Sequence, residues 1–236
     1  MAKPWIVVDS VETGDGRLEL RQRGERDFLI TLGGLVLMNS VANRSEIVLG
    51  QRGCSHLHRH AAARVLVGGL GMGCTLRAVL DTLPADAVVV VAELNPVVLD
   101  WCCGPLAGLT GGAVHDSRVH VEITDVAESV RIAAASPGKF DAIIFDLYRG
   151  PHFRSDAMHD PLYGSLAIAR VRQALKPGGV FAVWGESYDA GFVRRLEAGG
   201  YIVTTERPGR GGLRHVVFLA QLPPRVTAPA VAHRQP

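Results

Sequence analysis

The segment Val67-Gly68-Gly69-Leu70-Gly71-Met72-Gly73 follows a short apolar run and precedes a stretch of helical character. Glycines in such a turn let the backbone fold back tightly and approach a ligand with no side chain in the way. The helix beginning beyond it favours negative groups. A tight turn with no ligand has the same composition. The segment also misses the dinucleotide fingerprint, because Gly69 and Gly71 would need a third glycine where Cys74 stands. Glu93 ends the next apolar run, where a carboxylate can accept both hydroxyls of an adenosine ribose; a solvated strand-end acid is the competing reading. Asp125 follows the third run. Its carboxylate can take the amino group of an adenine, cap the helix that begins near Val126, or do both. Asp146 closes Phe140-Asp141-Ala142-Ile143-Ile144-Phe145-Asp146. An ionised Asp there can take a proton from an attacking amine or balance a sulfonium charge, with a purely structural role as the alternative.

These residues need a frame that brings them to one edge, and the hydrophobic pattern supplies it. Arg64-Val65-Leu66-Val67, Ala87 to Ala92, Arg118 to Ile123, Phe140 to Phe145 and Val180 to Trp184 read as short buried strands. Helices are predicted between them over Thr75 to Leu83, from Pro96, over Ala127 to Ala135 and over Leu162 to Leu175, with Lys176-Pro177-Gly178-Gly179 a turn. Such alternation predicts an α/β fold, a Rossmann-like doubly wound, mostly parallel sheet whose strand ends converge on one crevice. After a helix over Phe192 to Ala198, only a Gly- and Arg-rich turn separates Tyr201 to Glu206 from His215 to Leu219. That link is too short for a crossover, so the sheet should close with an antiparallel hairpin. Upstream, Leu18, Leu20, Phe28, Ile30, Leu32 and the run Leu35 to Met38 alternate as strands of a small N-terminal β region, and residues 45–60 read as a helix capped by Ser45. The expected organisation is a β region over 1–44, a nucleoside-binding transferase domain over 45–221 and a disordered, Pro-containing tail over 222–236.

Composition sets outer bounds. The 236 residues are 47% apolar and 20% charged with a formal charge of +2, so neither nucleic acid nor a membrane surface is an expected partner. No apolar run approaches the roughly 20 residues that a membrane-spanning helix needs. Cys54, Cys74, Cys102 and Cys103 form no Cys-x-x-Cys pair and read as reduced thiols of a cytoplasmic protein. His152 and His159 and the cluster His56, His58, His60 could suggest a metal, but no acid sits among that cluster at ligand spacing, loop histidines are mostly ordinary polar residues, and no metal is expected. Arg207, Arg210 and Arg214 read as a solvated hairpin tip, and Trp184 and Tyr188 as residues that could flank an acceptor.

Taken in order, Val65-Leu66-Val67-Gly68-Gly69, Thr75-Leu76-Arg77, Glu93-Leu94-Asn95-Pro96, Asp116-Ser117-Arg118-Val119, Asp125, the run ending at Asp146, Pro161-Leu162-Tyr163 and Leu175-Lys176-Pro177-Gly178-Gly179-Val180 resemble the spermidine synthase (polyamine aminopropyltransferase) family. That family is a branch of the class I S-adenosylmethionine-dependent methyltransferase superfamily. The resemblance implies a transferase whose co-substrate is S-adenosylmethionine or its decarboxylated form. The donor would lie along Gly69, Gly71, Met72, Gly73, Glu93, Leu94, Asp125 and Val126. It implies Asp146 as catalytic base, Arg149 and Tyr163 beside a small-molecule acceptor, and a homodimer. Against the family pattern, Met72 replaces an Asp of the glycine loop and Arg149 stands where an acid is expected. The Tyr-His-Glu segment before the loop is also missing, with only Ser45-Glu46 and His56-Leu57-His58 nearby. A dicationic polyamine would be repelled by an inward Arg149, which could pair instead with a donor or acceptor carboxylate, or equally be a surface arginine on a loop. On that charge argument methyl transfer is preferred slightly over aminopropyl transfer. A NAD-dependent oxidoreductase and a non-catalytic nucleoside-binding protein are the alternatives from other classes.

Overall fold

The computed structural model describes residues 3–152, 154, 156–209 and 215–224. Four antiparallel strands come first: β1 (Ile6–Thr13), β2 (Gly16–Arg23), β3 (Asp27–Leu32) and β4 (Leu35–Asn39), paired in chain order. The last three are the strands that alternation predicts. β1 is additional, and the pattern misses it because nearly all of its residues are exposed, so no buried face imposes a period.

A central sheet of seven strands follows. The helix α1 (Arg44–Cys54) leads into β5 (Arg64–Gly68), α2 (Cys74–Thr82), β6 (Val88–Glu93), α3 (Pro96–Cys103), α4 (Ala107–Thr110) and β7 (Val119–Ile123). Then come α5 (Val126–Ala135), β8 (Phe140–Phe145), α6 (Ser165–Ala174), β9 (Leu175–Gly185), α7 (Ala190–Ala198), β10 (Ile202–Glu206) and β11 (Val216–Gln221). The strand order is β10-β11-β9-β8-β5-β6-β7. β7, β6, β5, β8 and β9 run parallel, while β11 pairs antiparallel with both β9 and β10. The order reverses between β5 and β8, and in open α/β sheets the ligand crevice lies at that switch point, outside the strands' carboxyl ends.

Three expectations need correction. The helix expected over residues 45–60 ends at Cys54, with one 3-10 turn beyond it, and its N-cap is Asn43. Ser45 lies inside the first turn and is buried. Helix α6 starts three residues late because the Asp160 carboxylate accepts the N–H groups of Leu162 and Tyr163, which holds that segment in a turn. Lys176 to Gly179 is a bulge rather than a free turn. Leu175 pairs with Phe140 and Val180 with Ala142, so strand pairing continues on both sides of it.

The core lies on both sides of the central sheet. One side packs Leu49, Val79, Leu80, Val98 and Trp101 from α1, α2 and α3 on Val65, Val67 and Val89. The inner face of the N-terminal sheet (Leu18, Leu20, Phe28, Ile30) joins this cluster. The other side packs Val130, Ile168, Val171, Phe192 and Leu196 from α5, α6 and α7 on Leu66, Ile143, Phe145 and Phe181. Residues 222–224 continue from β11, with Leu222 N–H donating to the Gly179 carbonyl and Gly178 N–H to that of Pro223. The rest of the expected tail, and Arg210 and Arg214, lie outside the described residues.

Candidate active site

The glycine loop leaves β5 at the centre of the sheet. Its shape is fixed on both sides: Gly69 N–H donates to the Ala92 carbonyl at the end of β6, and Asp146 N–H to the Gly68 carbonyl. Gly69 has φ +86°, and a side chain there would collide with the Asp146 carbonyl oxygen, so only glycine lets the two strand ends approach this closely. At Gly71 (φ +50°) the thioether of Met38 from β4 covers the position a Cβ would take. The N-terminal sheet therefore closes over the loop.

Glu93 is 6% exposed. Its Oε2 accepts from Leu70 N–H at 2.8 Å and its Oε1 from Asn95 N–H at 2.9 Å. The carboxylate thus bridges the glycine loop to the start of α3, and each oxygen retains lone-pair capacity for a diol. Asp125 is exposed and caps α5, with Oδ1 accepting Ala127 N–H at 2.8 Å. The capping reading holds, and one oxygen remains turned to no described partner. Leu94 is 60% exposed beside Glu93, whereas Met72 and Val126 are buried in the core at 2% and 5%.

Asp146 follows β8 and keeps some surface open. Thr75 Oγ1, in the first turn of α2, donates to its Oδ2 at 2.6 Å. Burial, and then the neighbouring charge of Glu46, push its carboxyl up to about 7, against the Thr75 hydrogen bond. Glu46 comes from α1 and is 8% exposed. Neither carboxylate has an ion pair among the described residues.

Glu46 is the residue that sequence reasoning missed. Its signal was present, because Glu46 shares the buried stripe of α1 with Leu49, Gly50, Gly53 and Cys54, and an acid on a core stripe is rare without a partner or a task. The other predicted site residues sit as follows. Tyr163 is 3% exposed, packs edge to face on Phe145 and Phe192, and donates its hydroxyl to the Arg149 carbonyl at 2.7 Å. It shapes the loop after Asp146 and leaves almost no surface for an acceptor. Arg149 is exposed, its guanidinium 5.1 Å from the Tyr148 ring centre. Asp116 and Arg118 form a clasp before β7, away from the crevice, in which Arg118 also reaches the carbonyls of Leu80, Leu83 and Pro84. An open groove of about 770 Å³ lies elsewhere, lined by Arg44, Val48, Arg52, Glu206 and Arg207 along the solvent side of α1. The histidine run gains an acid that the linear sequence kept distant: His60 Nε2 lies 3.4 Å from Asp141 Oδ1.

The strand order, the glycine loop at the switch point and the acids at successive strand ends define a Rossmann-like α/β protein with a crevice at the carboxyl ends of its strands. Residues 45–190, well over half of the chain, match the spermine/spermidine synthase domain, and the chain belongs to that family. It is 34% identical over 149 residues to the polyamine aminopropyltransferase of Mycobacterium tuberculosis (strain ATCC 25618 / H37Rv), which covers 61% of this chain and 28% of that protein. It is 37% identical over 86 residues to the polyamine aminopropyltransferase of Pseudomonas syringae pv. tomato, covering 36% of this chain and 29% of the relative. The chain thus spans less than a third of the length of these curated relatives. Among solved structures, a spermidine synthase in complex with the transition state analogue AdoDATO superposes with TM-score 0.70 at 21% identity, over 91% of this chain and 72% of that one. The spermidine synthase of Thermotoga maritima superposes with TM-score 0.68, also at 21% identity and over the same shares. These likenesses bear out the fold. Among the described residues no helix is long and apolar enough to cross a membrane.

Proposed function

We propose that the chain transfers an aminopropyl group from decarboxylated S-adenosylmethionine to an amine. The observation that carries this reading is the pair Asp146 and Glu46, two largely shielded carboxylates with no ion-pair partner among the described residues. The residues present suit the donor. Glu93 has capacity for the ribose hydroxyls, Asp125 for the adenine amino group, and the loop from Gly69 to Gly73 gives the backbone a close approach. The slight preference for methyl transfer, drawn from Met72 and Arg149, finds no support. Met72 is buried, and the Arg149 side chain lies against an exposed ring, with no ion pair to either acid. Intact S-adenosylmethionine would add a carboxylate beside Asp146 and Glu46, and that repulsion favours the decarboxylated donor.

In the reaction the amine nitrogen attacks the propyl carbon bonded to the sulfonium. The carbon–sulfur bond breaks and its electron pair stays on sulfur, leaving neutral methylthioadenosine. The new carbon–nitrogen bond leaves a surplus proton on nitrogen, which Asp146 accepts. The sulfonium is already an activated leaving group, so the protein contributes alignment and a proton acceptor. The test is turnover: purified protein with decarboxylated S-adenosylmethionine and a panel of amines, read as methylthioadenosine by mass spectrometry. Methylthioadenosine that depends on the amine is expected. Its absence with every amine, or S-adenosylhomocysteine formed from intact S-adenosylmethionine, overturns the reading.

A further inference from the structure

Ser45 and His215 take no part in the chemistry above, yet they meet at Glu46. Ser45 Oγ lies 2.7 Å from Glu46 Oε2 and 3.0 Å from His215 Nδ1. A hydroxyl carries one proton and an ionised carboxylate none. Ser45 therefore donates to Glu46, and His215 must donate its Nδ1 proton to Ser45. The His215 ring is held edge to face on Trp184, with centroids 5.0 Å apart and planes at 67°. The chain of donors runs from the start of β11, through α1, to the acid beside Asp146.

The groups around the two acids can be named. Cys74 and Thr75 face them from α2, Tyr163 faces Asp146 from the segment before α6, and His215, itself packed on Trp184 of β9, reaches Glu46 through Ser45 from the residue before β11. Burial pushes the Cys74 thiol up to about 11 and the Tyr163 phenol further up, so both stay neutral through the working range. Among these described groups Asp146, whose carboxyl is pushed up to about 7, is the one that reports a change in its surroundings near neutral pH.

We propose that His215, acting through Ser45, is a positioning residue that keeps Glu46 an oriented carboxylate, and so gives the crevice a second negative charge beside Asp146 for the cationic amine. This rests on the amine-transfer reading for its purpose but not for its geometry. Ser45→Ala removes the hydroxyl that donates to Glu46, and His215→Ala removes the N–H that orients that hydroxyl, so in both variants the Glu46 charge is held less firmly beside Asp146. The charge facing Asp146 then falls, and Asp146 ionises at lower pH.

The test is carboxyl-carbon NMR titration of Asp146 and Glu46 in ligand-free protein, run beside kcat/KM against pH. In Ser45→Ala and His215→Ala the Asp146 midpoint and the acid limb of kcat/KM should both move down by about half a pH unit or more. KM for the amine should rise about threefold or more while KM for the donor holds, because one of the two charges is lost. His215→Asn, which keeps a donor near the Nδ1 position, should restore wild-type values. Folded Ser45→Ala and His215→Ala proteins with an unchanged Asp146 titration would overturn the proposal. A wild type that transfers nothing to amines while the variants still shift Asp146 would sink the functional reading and leave the network standing.

Discussion

Both oxygens of the Glu93 carboxylate already accept a backbone N–H, and one of those donors, Leu70, is buried. Glu93→Ala should therefore cost about 1–3 kcal/mol of stability in a thermal melt, besides weakening donor binding at least about tenfold by calorimetry. Asp146 makes a different prediction. Below pH about 7 it holds a proton, and above it the carboxylate can accept one, so kcat/KM for the amine should rise with pH through about 7. Asp146→Asn should lower kcat by about 100- to 10,000-fold and spare donor binding. Glu93, Asp125 and Asp146 were legible because each follows a short apolar run, and strand ends in a parallel sheet converge. Glu46 left a trace on the apolar stripe of α1, but its meeting with His215 left none, since the two come together only when α1 and the residue before the last strand fold onto the same crevice.

At the scale of elements, α1 decides the geometry. Gly50 and Gly53 weaken it as an isolated helix, and the structure gives their reason. A Cβ on Gly50 would stand 2.8 Å from both Ala78 Cβ and the Thr75 carbonyl, and one on Gly53 would stand 3.1 Å from Ala182 and Ile144. The glycines let α1 press against α2 and the sheet, which brings Glu46 to Thr75 and Asp146. Gly50→Ala gains about 1 kcal/mol of intrinsic helix propensity. It should nonetheless lower stability by about 1–3 kcal/mol through overpacking and reduce turnover by displacing Glu46; denaturant unfolding and the turnover assay read the two effects. The strands and helices of the central sheet were readable from apolar runs and glycines. Strand β1 was not, because both its faces meet solvent, and the bulge from Lys176 to Gly179 was not, because its Pro and glycines look like a free turn.

For the whole molecule, the N-terminal sheet is part of the site's roof rather than an appendage. Leu18, Leu20, Phe28 and Ile30 share a core with Leu70 and Met72, Trp101 Nε1 donates to Asp9 Oδ2 at 2.7 Å, and Met38 covers Gly71. Removing residues 1–39 should expose that core face, seen as dye binding and a lower melting temperature, and abolish donor binding. Stability should also carry the signature of Asp146. The native state keeps its proton to about 7 and the unfolded chain only to about 3.8, so stability is greatest below the lower value, falls across that window and is flat above it. The fall is about 1.4 kcal/mol per pH unit at most. Asp146→Asn should remove the fall, and melts at pH 4 and pH 8 would display the difference. The central claim is that this crevice takes a decarboxylated adenosyl sulfonium, and calorimetric titration with decarboxylated S-adenosylmethionine, intact S-adenosylmethionine and NAD tests it most directly. Tightest binding of the decarboxylated form is expected, weakened by Glu93→Ala. Tighter binding of intact S-adenosylmethionine, or binding of NAD alone, would contradict it.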